Sequence, residues 1–249
     1  MVKLTKRVLP DMTPHNLASL DKVANVVLAP GDPERCTYIA SNFLNNAQLV
    51  SSKRGNVVYT GYYKDKRVSL ASTGMGASSA GLYTYELYHF YNVDTIIRIG
   101  TSGGLQKEIE PGELVIPLSA SCDGAWANQY QLNGTFSPCP DYSLFHLATT
   151  LATKLNIKFY SGMVFSSDYF SEYNAMGEKA VEQWARMGAL AQDMETYSLF
   201  SNAMWCKKKA LSILTMTDNC ITQHSLKDEE RMSGLNNMIT LALETALEC

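Results

Sequence analysis

The sequence predicts an α/β fold with a mixed sheet. Short β-branched runs alternate along the chain with longer segments of helical periodicity. Two of the runs, Val57–Tyr63 and Arg67–Ser72, are joined only by Lys64-Asp65-Lys66, which is hairpin spacing, so the sheet is not purely parallel. The 249 residues are 46% hydrophobic and 18% charged, enough to bury a substantial core, with no internal repeat, low-complexity tract or linker rich in Pro, Gly and Ser. One domain is the simplest account, and disorder, coiled coil and collagen are excluded.

Taken in chain order, the first buried strand is expected at Val26-Val27-Leu28-Ala29. Pro30-Gly31-Asp32-Pro33 then turns into a helix from Glu34 to about Leu44, with Asp32 suited to cap it and Pro33 to its first turn. After the hairpin, glycines end the strand and open a helix over Ser78–Tyr91. Further strands are expected at Thr95–Ile99, Glu113–Pro117, Lys158–Phe165 and Ala210–Met216. Helices are expected at Tyr142–Leu155, Glu178–Met187, Thr196–Trp205 and Glu229–Leu247.

Charge and composition narrow the function. A formal net charge of −3 leaves no basic excess for a phosphate backbone, so nucleic acid is not expected as a partner, although a small anion could bind locally. The six cysteines form no C-x-x-C pair, which argues against a zinc site or disulfide framework and for reduced thiols. Residues 1–15 lack the apolar core of a signal peptide, and no segment reaches the roughly 20 apolar residues of a membrane span. A cytoplasmic protein with no membrane partner is the expectation.

Five segments look chemical. Pro30-Gly31-Asp32-Pro33-Glu34-Arg35 places a guanidinium beside a helix start, either an anion site or a plain turn with a solvated Arg35. Ser72-Thr73-Gly74-Met75-Gly76-Ala77-Ser78-Ser79 allows close backbone approach to a ligand or serves as a tightly packed turn; it lacks a full dinucleotide fingerprint. Thr95-Ile96-Ile97-Arg98-Ile99 sets an arginine inside an apolar strand, where a buried cation needs an anion. That anion is either an internal carboxylate or a phosphate bound near the expected turn Gly100-Thr101-Ser102-Gly103-Gly104. In Gln192-Asp193-Met194-Glu195-Thr196 two carboxylates flank a methionine, so on extended backbone they face opposite ways, one into a pocket and one out. Either carboxylate could accept from a sugar diol, or both could stabilise a helix start. Thr215-Met216-Thr217-Asp218-Asn219 ends a buried strand in polar groups, with Arg231 thirteen positions beyond Asp218.

In this order the segments resemble the nucleoside phosphorylase superfamily, most closely the hexameric bacterial-type purine nucleoside phosphorylases. The resemblance runs from about Thr13 to about Leu247, leaving 1–12 as an N-terminal extension and 13–249 as one domain. It implies a three-layer α/β/α sandwich around a mixed, partly barrel-like sheet. It also implies reversible phosphorolysis of purine (deoxy)ribonucleosides to free base and α-(deoxy)ribose 1-phosphate, with inorganic phosphate as co-substrate and no cofactor or metal.

Carried over by position, the resemblance implies phosphate held by Gly31, Arg35, Arg98 and Thr101, with Arg54 reaching in from a neighbouring subunit. Met75, Met194 and Glu195 would hold the ribose, assisted by His15 of a neighbour, so a homo-oligomer is implied, at least a dimer and as much as a hexamer. Phe165, Gln192, Thr217 and Asp218 would meet the base, with Asp218 as acid toward purine N7 and Arg231 stabilising its carboxylate as the proton leaves. Three departures bear on this. Gln192 stands where a small apolar residue is usual, Asp193 replaces the first glutamate of Glu-Met-Glu, and Asn219 stands where a histidine is common. Asp193 is expected to matter little because it points away from Glu195. Uridine phosphorylase is the nearest alternative, but its glutamine and arginine are replaced by Ser171-Glu172-Tyr173-Asn174. A non-catalytic nucleoside-binding protein is the alternative from another class.

Overall fold

The computed structural model describes residues 12–177, 179–227 and 233–249. From the amino terminus come β1 (Val26–Ala29), α1 (Pro33–Phe43), β2 (Asn45–Lys53), β3 (Asn56–Tyr63), β4 (Lys66–Ala71) and α2 (Ala77–Phe90). They are followed by β5 (Thr95–Gly104), β6 (Leu114–Cys122), α3 (Tyr142–Lys154), β7 (Phe159–Ser166) and α4 (Lys179–Arg186). The chain finishes with β8 (Ala191–Asp193), α5 (Thr196–Cys206), β9 (Lys209–Asn219) and α6 (Asn236–Leu247).

These strands form one nine-stranded sheet in the order β2-β3-β4-β1-β5-β8-β7-β6-β9. Because β9 also pairs in parallel with β5 along its length, β5, β8, β7, β6 and β9 close on themselves, while β1 to β4 extend as an open wing. The expected mixed, partly barrel-like sheet is therefore present. Side-chain alternation along β1 sorts the two cores: Val26 and Leu28 pack with α1, α3 and α6, whereas Val27 and Ala29 pack with α2 and α5. Each fully buried Leu or Ile in these layers contributes about 1.5–3 kcal/mol.

Several elements differ from the sequence expectation, among them β6 and β9, which run on to Cys122 and Asn219. β2 was not expected, since Asn45-Asn46-Ala47-Gln48-Leu49 reads as polar chain. It is an edge strand, mostly exposed and irregular in its register with β3, where polar residues are tolerated and discourage further pairing. β5 does not turn at Gly100 but runs on to Gly104, held by β9 on one side and by β8 at Gly103 and Gly104 on the other. The last helix begins at Asn236 after a short 3₁₀ turn over Ser233–Leu235; its expected start at Glu229, like Glu178 of the expected fourth helix, lies outside the described residues.

No helix among the described residues is long and apolar enough to cross a membrane. All six cysteines are unpaired. Cys36 is fully buried, and burial pushes its thiol up, whereas Cys139 is exposed. A thiol reagent is accordingly expected to modify Cys139 in the native protein and to reach Cys36 only on unfolding, as read by peptide mass spectrometry; native labelling of Cys36 would contradict this packing.

Candidate active site

The ends of β1, β4, β8 and β9 and the middle of β5 converge on one cavity of about 1020 Å³. On one side the β1–α1 and β4–α2 turns lie against each other. Thr73 N donates to Pro30 O and Gly74 N to Gly31 O, both at 3.0 Å. A Cβ on Gly31 would sit 3.0 Å from Gly74 O, a tight contact with backbone that glycine avoids. Asp32 caps α1 through Glu34 N at 2.8 Å, with Pro33 in the first turn, as the sequence indicates.

That cap aims Arg35 inward from the first turn of α1. Its Nη1 donates to Ile99 O at 3.1 Å, and its buried Nε has no hydrogen-bond partner among the described residues. Burial lowers the Arg35 pKa; Asp32 opposes this, while the charge of Arg98 adds to it. Two crowded guanidiniums on one cavity wall favour an anion between them.

Arg98 is buried and meets internal carboxylates, the first of the two partners the sequence allowed. Nε donates to Asp193 Oδ2 at 3.1 Å, and Nη2 lies 2.5 Å from Glu195 Oε2. The expectation that Asp193 points away from Glu195 is thus corrected. Glu195 leaves extended backbone at φ −133°, ψ −24°, so the alternation fails and both carboxylates turn to the same cation. Glu195 Oε1 also accepts from Gly76 N at the start of α2, at 2.7 Å. Its carboxyl is pushed up chiefly by burial, with Arg98 opposing and Asp193 adding to the rise.

At the other end of the cavity, where Gly103 five residues along β5 from Arg98 pairs with both Gln192 and Asp218, these two and Thr217 line the cavity, and Thr217 Oγ1 donates to Asp218 Oδ2 at 2.7 Å. Thr101, Met75 and Met194 line it as well. Phe165 does not: it is 3% exposed, stacked on Trp184 with ring centroids 4.2 Å apart in a small satellite core. Alternation along β7 turns its ring to that core; the aromatics that line the cavity are Phe170 in the following loop and Tyr83 of α2. The signal for Phe170 was the aromatic pair Tyr169-Phe170 in a loop, where no core accounts for it. Gln192 ties this loop to β8 by donating from Nε2 to Tyr169 O at 3.1 Å. Asn219 spends its side-chain amide on the fold, donating to Gln106 O and Ile109 O and accepting from Ile221 N and Thr222 N.

Arg54 lines the cavity of its own chain. The reason is local: the Arg54-Gly55 turn, with φ of 56° and 78°, joins β2 to β3 beside the end of β4, where Ser72 N bonds Val57 O. His15 is not among the cavity-lining residues; its Nδ1 is 2.7 Å from Glu86 Oε1 on α2, and its side chain is 33% exposed. Arg231 lies outside the described residues.

A closed mixed sheet whose strand ends bring Arg35, Arg98, Asp193, Glu195 and Asp218 to one cavity defines an α/β protein with a single charged candidate site. The family model described as Phosphorylase superfamily matches residues 25–248. A "Purine nucleoside phosphorylase DeoD-type" of Mycoplasma pneumoniae is 38% identical, covering 94% of this chain and 98% of the relative. One of the same description from a Thermoanaerobacter species is 40% identical, covering 94% and 100%. The crystal structure of a uridine phosphorylase from Vibrio fischeri superposes with a TM-score of 0.87 at 25% identity over 100% of both chains. The chain belongs to the phosphorylase superfamily.

Proposed function

We propose that this protein catalyses the reversible phosphorolysis of purine (deoxy)ribonucleosides to free base and α-(deoxy)ribose 1-phosphate. One observation supports this above the rest: Arg35 and Arg98 on one wall, Glu195 beside them and Asp218 at the far end all face a single cavity. In this reading phosphate sits against Gly31, Arg35, Arg98 and Thr101, with Arg54 closing over it. Glu195, Met75 and Met194 hold the sugar. Phe170 takes the place of Phe165 as the aromatic beside the base, with Gln192, Thr217 and Asp218 around it.

A phosphate oxygen attacks the anomeric carbon as the bond from that carbon to purine N9 breaks, and the bonding pair leaves with the base. Positive charge grows on the sugar and negative charge on the purine. Phosphate and the Glu195 carboxylate stabilise the first, and Asp218 neutralises the second by giving a proton to N7. Arg231 would then stabilise the carboxylate that remains. His15 belongs to the sugar site of a neighbouring subunit, so the active form is a homo-oligomer, at least a dimer.

Base preference tests the reading. Initial rates with inosine, adenosine, guanosine and uridine, each with and without phosphate, are expected to show phosphate-dependent release of purines and little cleavage of uridine. Cleavage of uridine in preference to every purine would favour the pyrimidine reading. Binding without turnover would favour the non-catalytic one.

A further inference from the structure

We propose that Asp193 is a positioning residue for Arg98: its carboxylate fixes the plane of the Arg98 guanidinium and so sets where that group meets an anion in the cavity. The purpose assigned to Arg98 rests on the proposed reaction; the geometry does not.

Asp193 is 4% exposed and gathers four donors. Arg98 Nε at 3.1 Å, Thr196 N at 2.9 Å and Thr196 Oγ1 at 2.6 Å donate to Oδ2, and Ser166 Oγ at 2.5 Å donates to Oδ1. The neutral donors are themselves fixed. Ser166 Oγ accepts from Tyr197 N at 3.0 Å, and Thr196 Oγ1 lies 3.0 Å from Ser212 Oγ on β9. The carboxylate therefore cannot move without breaking the start of α5.

An arginine held at Nε has its whole plane set, because the Nε–H lies in the guanidinium plane. Nη2 is then delivered to Glu195. Gly100 leaves the room this requires, since a Cβ there would lie 2.5 Å from Arg98 Nη2 and 2.7 Å from Cζ. One carboxylate thus links α5, β7 and β9 to the orientation of a single cavity cation.

The sign of one effect separates positioning from charge. Removing a negative charge beside a cationic site should, on charge alone, tighten a bound anion. Loss of placement weakens it. The test is calorimetric titration with inorganic phosphate, beside thermal melts, of wild type, Asp193→Ala, Asp193→Asn, Thr196→Val and Gly100→Ala.

Asp193→Ala is expected to weaken phosphate at least ~10-fold, whereas Asp193→Asn, which keeps an acceptor of the same shape, binds at least as tightly as wild type. Thr196→Val should lower the melting temperature yet leave phosphate affinity within about twofold, because Thr196 N and Ser166 Oγ still hold the carboxylate against Arg98 when one neutral donor is lost. Gly100→Ala should weaken phosphate at least ~10-fold with Asp193 intact. Undiminished affinity in Asp193→Ala, or equal weakening in Thr196→Val, would overturn the proposal. If Asp193→Ala does not fold, normal phosphate binding by Gly100→Ala overturns it alone. A wild type that binds no phosphate also ends it. If the expected pattern appears but wild type turns over no nucleoside, the proposed reaction fails and the positioning role stands.

Discussion

Arg98→Ala is expected to lose phosphorolysis by at least ~100-fold and to lose stability at neutral pH by about 3–5 kcal/mol. Both effects come from one vacancy. In the wild type the guanidinium compensates Asp193 and Glu195, which are 4% and 5% exposed. Without it two acidic groups remain in a site that water cannot readily solvate, and the phosphate wall loses one of its cations.

The stability loss should depend on pH. Glu195 is already pushed up by burial, and Arg98 holds that rise in check, so removing Arg98 raises it further. A carboxyl raised in the folded state contributes stability that is fully present below its unfolded pKa and is lost as pH rises through the folded one. The deficit of Arg98→Ala relative to wild type should therefore be smaller near pH ~5 than near pH ~8. Urea unfolding at both values measures it; a deficit that grows on acidification would contradict the assignment of Glu195 as the responsive group.

Asp218→Asn is expected to slow inosine phosphorolysis by about 10²–10⁴-fold while sparing a nucleoside whose purine is methylated at N7. The amide cannot deliver a proton, so an ordinary purine must leave as an anion. An N7-methylated base departs neutral from a cationic nucleoside and requires no acid. The ratio of the two substrates separates lost proton transfer from a distorted pocket, because distortion slows both. Equal losses on both would remove Asp218 from the acid role.

Much of this arrangement was legible in the residues, for identifiable reasons. The β1–α1 turn announced itself through Gly31, Asp32 and Pro33, whose backbone demands are local. Arg98 stood out as a charge that an apolar strand has no reason to contain. Local pattern misleads where tertiary context overrides it. Strand alternation would turn Asp193 away from Glu195, yet the backbone leaves extended geometry at Glu195 and brings both carboxylates to Arg98. Phe165 satisfied a motif, but its ring completes a core with Trp184 while Phe170 reaches the cavity. β2 was invisible because an edge strand needs pairing to β3 more than it needs an apolar face. Asn219 lines the cavity, and its amide also holds backbone groups of two loops, a structural duty that residue identity alone does not show.

The most direct measurement is the fate of the sugar. Phosphorus NMR of the protein incubated with inosine and inorganic phosphate is expected to show a ribose 1-phosphate resonance rising in step with free hypoxanthine, and neither product should form without phosphate. Hypoxanthine released with free ribose, or at an unchanged rate without phosphate, would mean that water and not phosphate is the nucleophile and would contradict the account.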